Sequence, residues 1–238
     1  MSHPHQSDIR NYLLASCSAE DFAGLAPHLE PVELQQGFPV SFPGRTSEYS
    51  YFPDVGIGSI VVTTSSGRST EICLFGREGM APVSSILGAA SSPYSVFMQV
   101  AGFGHRIENA YLLAACSQSV ALRGLLTRYA QAAAVQTAYT AYTNAADHIE
   151  RRLARWLLMC LDRTDGNTVT LTHESLSTML AVRRQSVTTT LHMMEGKHAI
   201  RSTRGEVTVT DRRRLEALAG EAYGPAEREY HTLVGRPL

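Results

Sequence analysis

The chain has 238 residues with a net charge of −1; 44% are hydrophobic and 18% charged, which is material for one large or two modest cores. This composition excludes a disordered or heavily solvated chain. No run approaches ~18 consecutive apolar residues, so no membrane-spanning helix is expected. The four cysteines, Cys17, Cys73, Cys116 and Cys160, form no CxxC pair. No iron–sulfur cluster, structural zinc or other metal is expected, and the thiols read as free in a reducing compartment. Met1 to Gln6 are polar and lack the apolar stretch of a signal peptide, which predicts a cytoplasmic protein.

In chain order, residues 8–29 carry Ile9, Tyr12, Leu13 and then Phe22, Leu25, Leu29 at helical spacing. From Val32 to Val100 short β-prone runs take over: 50–52, 59–63, 70–75 and 96–100. Glycine-rich turns separate them, at Gly37, Gly44, Gly67, Gly76 and Gly79. Many short strands between such turns predict a sandwich or barrel, here a jelly roll. Between Ser117 and Asp162 there is no proline and one glycine, Gly124. Leu122, Leu125, Leu126, Tyr129 and Ala133 form one stripe of a long helix, expected to be a dimer seam. In the helix that follows (Ala146 to Leu161), Ile149, Leu153, Trp156, Leu157 and Cys160 are expected to point inward, and Arg151, Arg152 and Arg155 outward.

The total charge hides an asymmetry. Leu180 to Leu215 alone hold eight basic and three acidic residues, which points to a confined anionic surface such as DNA. Just ahead of this block Thr172 suits a helix start, with Glu174 in its first turn. Leu176, Met179 and Leu180 give a short helix one apolar face. Small Ser177, Ala181 four positions on and branched Val187 ten positions on fit a helix-turn-helix, in which two helices cross closely. Leu191 and Met194 continue the buried face of the second helix. Arg184, Gln185, Thr188 and Thr189 then lie outside. Ala199 to Thr210, turning at Arg204-Gly205, predicts a β-hairpin wing.

The expected organisation is α+β. Residues 1–116 form a jelly-roll sensor domain, 117–145 a long dimerisation helix, 146–220 a winged helix-turn-helix, and 221–238 a tail. This order resembles the Crp/Fnr family of bacterial transcription regulators over nearly the whole chain. The resemblance is carried by Arg152-Leu153-Ala154-Arg155-Trp156-Leu157-Leu158, by Thr170 to Glu195, and by Phe75-Gly76-Arg77-Glu78-Gly79-Met80. It implies a cyclic-nucleotide-binding-like sensor domain and a homodimer that places two recognition helices in successive major grooves of palindromic double-stranded DNA. RNA polymerase is then an expected partner. Matched to the family's recognition helix, Arg184, Gln185 and Thr189 take the base-reading positions. Arg183 and Ser186 take phosphate positions, and Thr172 and Glu174 lie near the backbone, with Arg204 on the wing. An arginine at 184 forks onto guanine O6 and N7, whereas Gln185, in place of the usual Glu, reads adenine. Ala181 stands where the family has Gly.

Cyclic-nucleotide-binding members carry an Arg-Ser/Thr-Ala triplet whose arginine pairs with the cyclic phosphate. Here Ala90 to Val96 stands in that place, and no basic residue lies between Arg77 and Arg106 except His105. Control by cyclic AMP is therefore not expected. The sensor is expected to hold an apolar or collapsed pocket lined by Ile72, Leu74, Ile86, Leu87, Val96 and Met98, with the effector unnamed. His28 and His105 read as ordinary side chains rather than haem ligands, so no cofactor is expected. Nor is an enzyme: the β region 32–100 has no His for a cupin metal, and neither a Gly-x-Ser-x-Gly elbow nor a phosphate-binding Gly-rich loop occurs. The rival reading is a small-molecule-binding or protein-interaction module whose winged helix does not read DNA.

Overall fold

Two very long strands organise the amino-terminal half of the computed structural model, which describes residues 3–238. β3 (Tyr49–Thr63) and β5 (Ser95–Glu108) pair antiparallel along their length. β1 (Glu30–Leu34) and β2 (Pro39–Ser41) pair with β5, and β4 (Ser69–Phe75) with β3, giving one five-stranded antiparallel sheet. The runs 50–52 and 59–63, expected as separate strands, are the two ends of β3. What divides them is a series of bulges between Pro53 and Gly58, where the register against β5 shifts three times. Each bulge bends the strand without ending it. The same feature carries β5 through Gly102 and Gly104 to Glu108, beyond the expected end near Val100.

Two short helices, with a single 3-10 turn before and after them, close one end of the sheet. α1 (Tyr12–Ser16) is capped by Asn11, whose side chain accepts from Leu13 and Leu14 N–H, and α2 (Ala19–Leu25) by Ser18. Leu13, Leu14, Phe22 and Leu25 bury against Phe52, Ile107 and the helices α3 (Asn109–Gln118) and α4 (Val120–Ala146). Ser119 separates these two helices and caps the second through its hydroxyl. Gly79 lets α4 approach: a Cβ there would lie 2.2 Å from the Tyr129 hydroxyl, which donates to Met80 O.

The stripe Leu122, Leu125, Leu126, Tyr129, Ala133, expected to face a second copy, turns toward the interior of the chain itself. All five are buried in the chain's own core, because the sheet and the short helices cover that side of α4. The outer side carries a different series, Thr127, Gln131, Ala134, Ala138, Ala141 and Ala145, at steps of four and three.

α5 (Ile149–Leu161) opens the carboxy-terminal half, followed by β6 (Thr168–Thr170), α6 (His173–Met179) and α7 (Arg184–Gly196). The hairpin β7 (Ile200–Thr203) and β8 (Glu206–Val209) and then α8 (Arg212–Ala219) complete it, with sheet order β6-β8-β7. Nine consecutive residues of α5, Leu153 to Leu161, are buried. One side packs on α7 and α8, and the other reaches Ile57, Val61 and Leu74 of the β domain, so a single apolar core crosses the two halves.

This second contact overturns the outward placement of Arg155. Its guanidinium is buried against α4, with Nη1 donating to Thr140 Oγ1 at 3.1 Å and Nη2 to Gln136 O at 3.4 Å. Arg152 is half-buried and donates to Asn144 Oδ1 and Leu180 O, and only Arg151 of the three is exposed. Polar groups also join the halves. Glu71, on β4, accepts from Trp156 Nε1 and Ser59 Oγ, both at 2.6 Å, and burial pushes its carboxyl up to about 7. Arg163 Nε donates to Glu78 Oε1 at 2.8 Å with both side chains buried. The expected tail contains a helix, α9 (Pro225–Val234), packed on α4, with Tyr230 donating to Glu78 O at 2.8 Å.

Candidate nucleic-acid interface

The helix-turn-helix is built from short-range rules. Thr172 caps α6, accepting from Ser175 N at 3.1 Å, and Glu174 follows in the first turn. Ser177 is small enough to be buried where α6 meets α7, whose Val187, Leu191 and Met194 complete the core. The turn is closed by Ala181 N donating to Thr178 O and Val182 N to Ser177 O. Ala181 adopts φ +51°, the left-handed conformation that favours glycine. Ala181→Gly is therefore expected to raise unfolding stability by about 0.5–1 kcal/mol, read by urea denaturation. A loss of stability would show that the turn is relaxed with alanine.

α7 begins at Arg184 with no side-chain cap, since Arg183 at its N-cap makes none. Its first turns therefore present open N–H groups and the positive end of the helix dipole. Arg183, Arg184, Gln185, Ser186 and Thr189 are exposed around this end, and Arg204 is exposed at the tip of the wing, beside Gly205 at φ +82°. Glu195 Oε1 accepts from Ser202 N at 2.6 Å and so ties the wing to the end of α7. Thr188 is placed differently from the outward position expected. It is half-buried, its hydroxyl lying 3.0 Å from His173 Nδ1 and donating to Arg184 O, so it braces α7 on α6. Arg201 on β7, absent from the expected set, is exposed on the same hairpin as Arg204. Among the described residues Arg183, Arg184, Arg201 and Arg204 enter no side-chain hydrogen bond or ion pair. Arg77, Arg106, Arg163 and Arg212 are paired, whereas Arg68, Arg123, Arg213 and Arg228 also enter none, so what sets the four apart is their clustering at the end of α7 and on the wing.

A cavity of about 370 Å³ lies between the sheet and α4. Ile72, Leu87 and Val96 line it as expected, together with Ile60, Val83, Tyr94 and the small α4 residues Ala130, Ala133 and Ala134. Leu74, Ile86 and Met98 do not. Leu74 turns into the core shared with α5, Ile86 packs among the short helices, and Met98 fills the interior of the β domain. No charged side chain lines the cavity, and Ser84 Oγ, on its wall, is buried without a hydrogen-bond partner. His28 stacks on Tyr111, with ring centroids 3.8 Å apart, and His105 faces Asp54 at 3.1 Å.

Residues 151–218 match the family model described as a Crp-like helix-turn-helix domain. No curated protein matches the chain. Among solved structures, FixK2 from Bradyrhizobium japonicum is similar over 81% of this chain and 98% of its own, with TM-score 0.69 and 13% identity. A protein from Eubacterium rectale assigned to the Crp/Fnr family of transcriptional regulators aligns over 88% and 99%, with TM-score 0.67 and 15% identity. A CRP-family transcriptional regulator from Thermus thermophilus aligns over 81% and 98%, with TM-score 0.66 and 18% identity. At these identities the likeness is one of fold. An antiparallel β domain joined by a long helix to a winged helix is the architecture of the Crp/Fnr regulators. The chain has that fold, and its carboxy-terminal part matches the Crp-like helix-turn-helix domain model.

Proposed function

We propose that the protein is a transcription regulator that reads a palindromic DNA site as a homodimer and is not controlled by cyclic AMP. The observation that carries this reading is the clustering of four exposed arginines around the open end of α7 and the wing, on a Crp-like helix-turn-helix. Arg184 and Gln185, with Thr189 one turn further, face base edges, while Arg183, Ser186, Thr172, Arg201 and Arg204 face phosphates. RNA polymerase is then the partner on the DNA. In-vitro selection of a binding site, followed by affinity against salt, tests the reading. Phosphate neutralisation predicts a steep linear fall of log K with log salt, and a module that binds protein shows none on DNA.

Dimerisation falls to the outer face of α4. Its steps of four and three keep Thr127, Gln131, Ala134, Ala138, Ala141 and Ala145 along one seam, and the small side chains permit close helix approach. Two recognition helices held about 34 Å apart meet successive major grooves. Ala141→Glu sets like charges across that seam, where such juxtaposition costs several kcal/mol. The wild type is expected to sediment as a dimer at micromolar concentration and the variant as a monomer. A monomeric wild type would remove this part of the proposal.

The uncharged cavity under α4 supports an apolar effector with a single polar group, met by Ser84 Oγ, rather than a cyclic phosphate. Calorimetry with cyclic AMP tests this, and micromolar binding would sink it.

A further inference from the structure

A second, smaller cavity of about 230 Å³ lies at the junction of the two halves, away from α4. Its floor is the bulged part of β3 at Asp54 to Gly56 with Val100 and Ala101 of β5, and its remaining walls come from three further parts of the chain. Arg10 precedes α1, Arg77 follows β4, and Arg163, Thr164, Asp165 and Thr168 lie between the end of α5 and the start of β6. Its volume is below that of sites for drug-sized molecules and suits a small polar ion.

The charges in this cleft are unevenly satisfied. Arg163 is committed to Glu78 and to Met159 O. Asp54 is likewise engaged, with Oδ1 accepting from Arg10 N and Asn11 N and Oδ2 facing His105. Arg10 and Arg77 share one carboxylate, that of Asp165, whose side chain is 63% exposed. Arg77 Nη1 donates to it at 2.8 Å, while Arg77 Nε is buried without any acceptor. Two guanidinium groups, each with five N–H donors, thus close on a single solvent-exposed group that leaves a buried donor unmet. The field there favours negative charge, since the hydrogen bonds from Arg10 and then Arg77 hold the Asp165 carboxyl below its ordinary value.

We propose that this cleft is a binding site for a small phosphate-type dianion, which displaces Asp165 from Arg10 and Arg77. A phosphate brings more negative charge than the carboxylate and at least three terminal oxygens, enough to serve both guanidinium groups and the orphaned Arg77 Nε. The chemistry is shared by inorganic phosphate and by the phosphate group of a monoester. Because Asp165 belongs to the winged-helix half and Arg10 and Arg77 to the β-domain half, occupancy exchanges a direct link between them for one through the ligand. The site is separate from the apolar cavity and stands whether or not the protein reads DNA.

Calorimetry on the full chain in phosphate-free buffer, with inorganic phosphate and with methyl phosphate, tests this. Saturable binding of one anion per chain is expected. Asp165→Asn, which removes the competing carboxylate at an exposed position, should bind about threefold or more tightly, and Arg77→Gln about tenfold or more weakly. Arg77 is largely buried, so its variant is judged only with a wild-type circular dichroism spectrum, and Asp165→Asn keeps the test independent of it. Tighter binding of methyl phosphate assigns the site to a monoester, and tighter binding of inorganic phosphate assigns it to the free ion. Either supports the site. No saturable heat from wild type and Asp165→Asn at millimolar anion overturns the proposal, as does Asp165→Asn binding no tighter than wild type or a folded Arg77→Gln binding equally well.

Discussion

Replacing Arg184 by alanine is expected to erase most discrimination between a selected palindrome and random DNA. Arg184 is the first residue of α7, exposed and without a partner. A guanidinium there can fork onto guanine O6 and N7, and losing such a contact costs about 1–3 kcal/mol in each half-site of a dimer. Affinity for random DNA should fall much less, since other arginines supply the charge. Arg204, at the wing tip, is the internal comparison. As a phosphate contact, its replacement by alanine should weaken both DNAs alike and reduce the salt slope by about 1. Competition binding with the selected and a scrambled site separates the two variants. If Arg184→Ala weakens both DNAs equally, Arg184 touches phosphate only and the base-reading assignment is wrong.

What was legible in the sequence follows from how local each signal is. Thr172, Ser177, Ala181 and Val187 act through neighbours a few residues away, so their spacing alone places α6, the turn and α7. The left-handed φ of Ala181 falls where a departure from glycine is visible in the sequence. Thr188 was misplaced because its partner, His173, lies on the other helix of the motif and no periodicity encodes that bond. The α4 stripe shows a deeper ambiguity. An apolar face predicts burial but not against what, and the chain's own β domain and short helices cover it. The seam proposed instead is a run of alanines, threonine and glutamine, which hydrophobic patterning passes over. α9 had a readable signal, Ala226, Tyr230 and Leu233 at helical spacing, hidden by its position at the end of the chain. Arg155, Arg163, Glu71 and Glu78 were beyond reach. Each is a charged residue buried by the docking of one half on the other, and the bonds of Glu71 and Glu78 span 85 residues of chain.

The docking gives the second large effect. Arg163→Met is expected to lower unfolding stability by about 3–5 kcal/mol, the range found when one partner of a buried ion pair is removed. The side chains of Arg163 and Glu78 are 2% and 3% exposed, so water cannot take over the lost contact. Burial works against the Arg163 charge, and Glu78, helped by Asp162, more than restores it. Without the guanidinium the Glu78 carboxylate has no ionic partner, and its Oε2 already lacks a hydrogen bond. The double variant Arg163→Met/Glu78→Leu removes both charges and should recover most of the loss, because apolar replacement of a whole buried pair is often neutral or stabilising. Urea denaturation of wild type, single and double variants reads both effects. The shared core of Ile57, Val61 and Leu74 with α5 predicts one transition in the wild type rather than two. A loss below about 1 kcal/mol in the single variant would mean the pair behaves as a solvated surface bridge. The join between the halves would then rest on apolar contact and on the other polar links, among them Trp156–Glu71 and Asp165 with Arg10 and Arg77.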